Sequence, residues 1–142
     1  MLNGLDPLLT PDLLHALASM GHGDQIAIVD ANFPAASTAR RLIHIPGATS
    51  SRVLAAILTL LPIDDFEPEP VVVMQVVGDP GSVPDPVREF TQVLAGHEQP
   101  LPAMIERHAF YRRAADAYAV VQTGERRFYG NILLRKGVIP PP

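Results

Sequence analysis

The sequence predicts an α/β fold: a single three-layer domain over residues 1–142, with a mixed, mostly parallel sheet flanked by helices. Three observations carry that expectation. Segments with helical apolar spacing alternate with short apolar runs, the pattern of helices laid on a sheet. Some runs, above all Val71–Val77, are unbroken by charge, as strands covered on both faces are. A chain of 142 residues, 47% of them hydrophobic, also matches one domain with a sizeable core.

Each element has a local reason. Thr10 can accept a free amide of a first turn and Pro11 sits where a missing N–H costs nothing, which predicts a helix from Pro11 to Met20. Leu13, Leu14, Leu17 and Met20 share its apolar face, and Gly21 suits a left-handed stop. Gln25–Ala31 reads as a buried strand with Asp30 near its carboxyl end, where open α/β sheets bind ligands. A loop with Asn32 and Pro34 follows, then a short strand over Leu42–Ile45. Ser50 or Ser51 begins a second helix, whose Val53, Leu54, Ile57, Leu58 and Leu61 form one face and which Pro62 helps to end. After the strand Val71–Val77, Asp85 is expected to cap a third helix with Pro86 at its first position, stopping at Gly96. Met104–Glu106 reads as a short strand and His108–Ala117 as a helix. Tyr118–Thr123 and Phe128–Leu134 read as two strands joined tightly through Gly124 in a hairpin-like ending.

Composition narrows the functions. The formal net charge of −4 argues against a nucleic-acid binder built on a basic face. Without cysteine there are no disulfides, thiolate zinc sites or cysteine nucleophiles. The longest apolar segment, Val53–Ile63, is interrupted by Thr59 and Pro62 and too short to span a bilayer. With no signal-peptide pattern at the N-terminus, a cytoplasmic protein is expected, with no membrane partner. The mean hydropathy of +0.16 suggests either apolar surface buried between subunits or a large core. Phosphate-binding glycine loops, nucleophile elbows and metal-ligand spacings are missing, so neither a cofactor nor a metal is expected.

The residues with chemistry are few. His22 lies in Gly21-His22-Gly23-Asp24, where glycines leave the imidazole approachable and its titration near neutrality lets it give and take protons. By spacing alone the reading to prefer is a surface-loop histidine. Arg107 falls where a strand hands over to a helix, and Tyr111 offers either a core aromatic or a phenolic proton donor. Tyr129-Gly130-Asn131 combines neutral hydrogen-bonding groups with a close backbone approach, which suits a polyhydroxylated ligand or an ordinary turn.

Taken in order, Gly21-His22-Gly23-Asp24, Asp30-Ala31-Asn32-Phe33-Pro34-Ala35, Ile105-Glu106-Arg107 with Phe110-Tyr111, and Thr123-Gly124-Glu125 with Tyr129-Gly130-Asn131 through Gly137 resemble the L-fucose mutarotase and D-ribose pyranase family. The likeness runs from Leu2 to Val138 and is nearer the fucose branch. The resemblance implies a cofactor-independent isomerase that interconverts the α and β anomers of L-fucose or a related aldose. It also implies a ring-shaped homo-oligomer of eight or ten subunits. Position by position, His22 resembles the catalytic proton donor and Tyr111 a catalytic tyrosine, while Asp30, Asp64, Arg107, Tyr129, Gly130 and Asn131 match substrate-binding positions. His108 and Arg112 depart from the family, standing where an aromatic and an acid are usual. The alternatives are a D-ribose pyranase and a non-catalytic sugar-binding module.

Overall fold

Helices and strands alternate through the computed structural model, which describes residues 1–142. The order is α1 (Pro11–Ser19), β1 (Gln25–Val29), α2 (Ala35–Thr38), β2 (Leu42–Ile45), α3 (Ser50–Leu58), β3 (Val71–Met74), α4 (Asp85–Gly96), β4 (Ala103–Ile105), α5 (Arg107–Asp116), β5 (Ala119–Thr123) and β6 (Ile132–Arg135). The six strands form one sheet in the order β2-β5-β1-β6-β3-β4, and β6 alone runs antiparallel to its neighbours.

Period-two alternation divides the core between the two faces of this sheet. Ile26, Ile28, Val71, Val73, Ile132 and Leu134 pack with α1, α3 and α4, including the fully buried Leu13, Leu54, Ile57 and Phe90. The alternate residues Ala27, Val29, Val72 and Leu133 pack with Phe33, Phe110 and Ala114 under α2 and α5. Two helical layers therefore sandwich a mixed, mostly parallel sheet, as expected. Burying β1 and β3 on both faces is what allows their sequences to be continuously apolar.

The structure corrects several local expectations. Thr10 does cap α1, accepting from Leu13 N, but the helix ends on an extended Met20 and the left-handed residue is Gly23, not Gly21. Asp85 does not cap α4: the capping position is Pro84, which offers no side-chain acceptor, and Asp85 lies in the first turn, where its carboxylate accepts from Arg88 Nη1 at 3.1 Å. The short helix α2 falls in what reads as a loop, and β3 stops at Met74.

The hairpin ending is also wrong. β5 pairs with β2 on one edge and β1 on the other, so neither edge is free for β6. The chain must instead cross the carboxyl end of β1 to reach that strand's far edge, and it spends residues 124–131 doing so. Phe128–Asn131 belongs to that crossing, not to a strand. The crossing is possible because Gly124 passes directly against the Pro46 carbonyl, where any Cβ would collide with backbone.

Candidate active site

The crossing loop roofs the end of β1, and beneath it lies Asp30. Its backbone N–H donates to Asn131 Oδ1 at 2.9 Å, Asn131 Nδ2 donates back to Asp30 Oδ2 at 3.1 Å, and Asn32 N–H donates to Asp30 Oδ1 at 3.0 Å. Both side chains are buried, at 4% exposure each. Burial pushes the Asp30 carboxyl above its ordinary range, and these hydrogen bonds only partly offset the effect.

A cavity of about 340 Å³ opens over this pair, with Asp30, Asn32, Arg107, Tyr111, Tyr129 and Asn131 as its polar lining. Phe33, Met74, Val77 and Phe128 supply the apolar lining. Arg107, the first residue of α5, has a buried Nε with no partner, so a donor remains available to a ligand. Tyr129 holds a left-handed φ of 62°, uncommon for a bulky residue, and its Oη accepts from Val77 N–H at 3.1 Å. Gly130 does not line the cavity. It lies behind the wall, where a Cβ would stand 2.5 Å from Glu125 Cγ and 3.4 Å from Asp30 Cβ. The expected sugar-holding residues Asp30, Arg107, Tyr129 and Asn131 thus meet in one place, together with Tyr111.

His22 and Asp64 meet elsewhere. His22 Nε2 lies 3.1 Å from Asp64 Oδ1, with the imidazole 46% exposed and the carboxylate side chain fully buried. Phe66 packs on the imidazole with ring centroids 5.3 Å apart, and its N–H donates to the same Asp64 oxygen at 3.1 Å. Burial raises the Asp64 carboxyl, but the bonds from Phe66 and His22, with the charges of His22 and Arg135, outweigh it and hold the group below its usual range. Asp65, next along, is exposed.

Topology separates the two groups. His22 precedes β1 and Asp30 follows it, so a strand of five residues, roughly 17 Å of extended chain, stands between them. Asp64 sits at His22's end because its N–H donates to the carbonyl of Arg135, the last residue of β6, whereas Asn131 precedes that strand. Within one chain, then, the structure gathers His22 with Asp64 and, at the opposite end of the sheet, Tyr111 with Asp30, Arg107, Tyr129 and Asn131.

Sequence reasoning did not single out Asn32, Phe33, Met74, Val77 and Phe128 as lining residues. The first two had a signal, following directly on a strand that ends in a carboxylate. Met74 and Val77 had none, since their part depends on β3 lying two strands from β1.

Solved structures bear the same architecture. Protein Atu2016, provisionally described as sugar-binding, is 44% identical with a TM-score of 0.93, over 99% of this chain and 97% of its own. The fucose mutarotase of Streptococcus pneumoniae, solved with L-fucose, is 39% identical with a TM-score of 0.91, over 98% of this chain and all of its own. RbsD of Bacillus subtilis, solved with D-ribose, shares the fold at 24% identity and a TM-score of 0.77, over 99% of this chain and 100% of its own. A match to the model of the RbsD / FucU transport protein family extends over residues 3–139, which contain the whole sheet and both helical layers, and on that ground the chain belongs to this family.

Proposed function

We propose that the protein is a mutarotase that interconverts the α and β anomers of L-fucose or a closely related aldose. The observation that carries this reading is the mixed lining of one cavity: carboxylate, guanidinium and amide groups share about 340 Å³ with phenyl and methionine side chains. A 6-deoxy sugar has that mix, with hydroxyls on most of its rim and a methyl group at one corner. The 39% identical mutarotase that binds L-fucose supports the choice of sugar.

The reaction opens and recloses a hemiacetal. The anomeric hydroxyl loses its proton, the bond between the anomeric carbon and the ring oxygen breaks, and the ring oxygen gains a proton. The resulting aldehyde rotates and closes from its other face. Nothing is oxidised and no group is transferred, so acid–base chemistry suffices, contributing typically ~10²–10⁴-fold. His22 is the acid to the ring oxygen. Asp64, bonded to Nε2, orients the ring and leaves Nδ1 for the substrate. Water beside Tyr111, or Tyr111 as it passes its own phenolic proton on to that water, takes the anomeric proton, while Asp30, Arg107, Tyr129 and Asn131 hold hydroxyls and Gly130 lets the loop lie close.

His22 cannot reach the cavity of its own chain across the length of β1, so the reading requires a homo-oligomer in which one subunit brings His22 and Asp64 to the cavity of another. A ring assembly has that head-to-tail geometry. Exposed Phe66 at one end and exposed Val77 and Phe128 at the other supply apolar surface for the contact. No helix is long and apolar enough to cross a membrane.

Saturation-transfer NMR on L-fucose and D-ribose tests the reading. Accelerated anomer exchange of L-fucose is expected. Acceleration confined to the pyranose–furanose exchange of ribose would make the protein a pyranase instead, and binding with no acceleration would make it a sugar-binding module.

A further inference from the structure

We propose that Arg127, which does not line the cavity, is a positioning residue that holds the crossing loop over the sugar. Its guanidinium makes four hydrogen bonds to two carboxylates. Nε and Nη2 donate to Glu125 Oε1 and Oε2, both at 2.9 Å, while Nη1 and Nη2 donate to Glu89 Oε1 and Oε2 at 2.6 and 2.9 Å. Glu89 lies on α4 and accepts in turn from Ser51 Oγ of α3 at 2.8 Å. One planar fork therefore ties the loop to two helices of the layer beneath the sheet.

The loop has little else to hold it. None of the residues 126–130 enters a backbone–backbone hydrogen bond. Their anchors are the Arg127 side chain, the bond from Arg127 N–H to Glu125 Oε1, the bond that Tyr129 Oη accepts from Val77, and the Gly130 N–H on the Asp30 carboxylate at the loop's far end. Yet this stretch presents Phe128 and Tyr129 to the cavity and carries a left-handed φ at Tyr129. Exposed ion pairs are ordinarily worth little, but Glu125 is 2% exposed and Arg127 is its only cationic partner. Removing that partner strands a buried charge on a side chain packed against Gly130. A lysine keeps the charge but not the fork, so it cannot grip two carboxylates at once.

The kinetic arm of the test rests on the mutarotase reading; the structural arm does not. Arg127→Lys, Arg127→Met and the double variant Glu125→Gln/Arg127→Met are compared with the intact oligomer by NMR exchange rates at varied L-fucose and by hydrogen–deuterium exchange. Arg127→Met should raise KM by about ten- to a hundredfold with a smaller change in kcat, and speed amide exchange in residues 126–131. Arg127→Lys should fall between it and the parent. The double variant, freed of the stranded charge, should regain the parental melting temperature but not the parental KM. Arg40→Met, which breaks an exposed ion pair to Asp116, should leave KM unchanged. The proposal is overturned if Arg127→Met leaves both KM and loop exchange at parental values, if the double variant recovers KM along with stability, or if Arg40→Met shifts KM equally. A parent that exchanges no sugar would sink the mutarotase reading instead, leaving amide exchange to decide the role of Arg127.

Discussion

His22→Ala and Asp30→Asn injure opposite ends of the same chain, and if each working centre draws one end from each of two subunits, mixing them should restore activity. Alone, each variant should fall far below the parent, His22→Ala by ~10²–10⁴-fold as expected for loss of a general acid. The roughly 17 Å of β1 between the two positions exceeds what either side chain can reach, so no chain repairs its own centre. When equal amounts are unfolded together and reassembled at random, the chance that a given centre receives an intact His22 from one side and an intact Asp30 from the other is about one in four. The mixture should therefore recover about one quarter of the parental exchange rate, read by saturation-transfer NMR on L-fucose. A second mixture fixes the arrangement independently. Parent reassembled with an equal amount of the His22→Ala/Asp30→Asn chain should keep about one quarter of the activity for shared centres, but about one half if each chain holds a whole one. Recovery no greater than the sum of the two single variants, with one half retained in the second mixture, would refute the shared centre.

Further outcomes follow from the same geometry. Gly130→Ala should lower stability by about 1–3 kcal/mol, because the new methyl overlaps Glu125 Cγ; a urea melt checks it. Phe110→Ala should cost about 3–5 kcal/mol by the same measurement, since the ring is wholly buried beneath α5. Asp64 is held below its ordinary range in the folded state, so its stabilising contribution is full above the unfolded value of ~3.9 and disappears as pH falls through the lower folded value. Asp64→Asn should therefore flatten the acid limb of the stability profile below about pH 4. Asp30 works in the opposite sense: its raised folded pKa means stability declines as pH climbs from ~3.9 through the raised value, and Asp30→Asn should remove that decline.

Much of the fold was legible because local signals and burial agreed. Thr10 and Pro11 start α1 through a cap that can be read in the chain itself, and the β-branched run at Val71 could hardly be anything but a covered strand. The hairpin failed because Thr123-Gly124-Glu125 carries genuine turn chemistry. What it lacks is any mark that β1 already occupies the edge of β5, a fact set by pairing between residues nearly a hundred positions apart. Arg127 was invisible for a similar reason. In the chain it follows another arginine and looks solvated, and only the return of α4 brings Glu89 to it. Motif resemblance gathered His22, Asp30 and Asp64 into one list, and could not convey that a strand of the sheet keeps the first and third away from the second.

β6 follows every other helix and strand in the sequence and yet lies third from one edge of the sheet, between β1 and β3. Until it is inserted, β2-β5-β1 and β3-β4 are two separate ribbons with no ladder joining them. During synthesis on the ribosome the earlier segments therefore wait with exposed apolar edges, prone to clump, and the wedge that welds them arrives late. Chaperone demand should accordingly be greatest in the interval before β6 emerges.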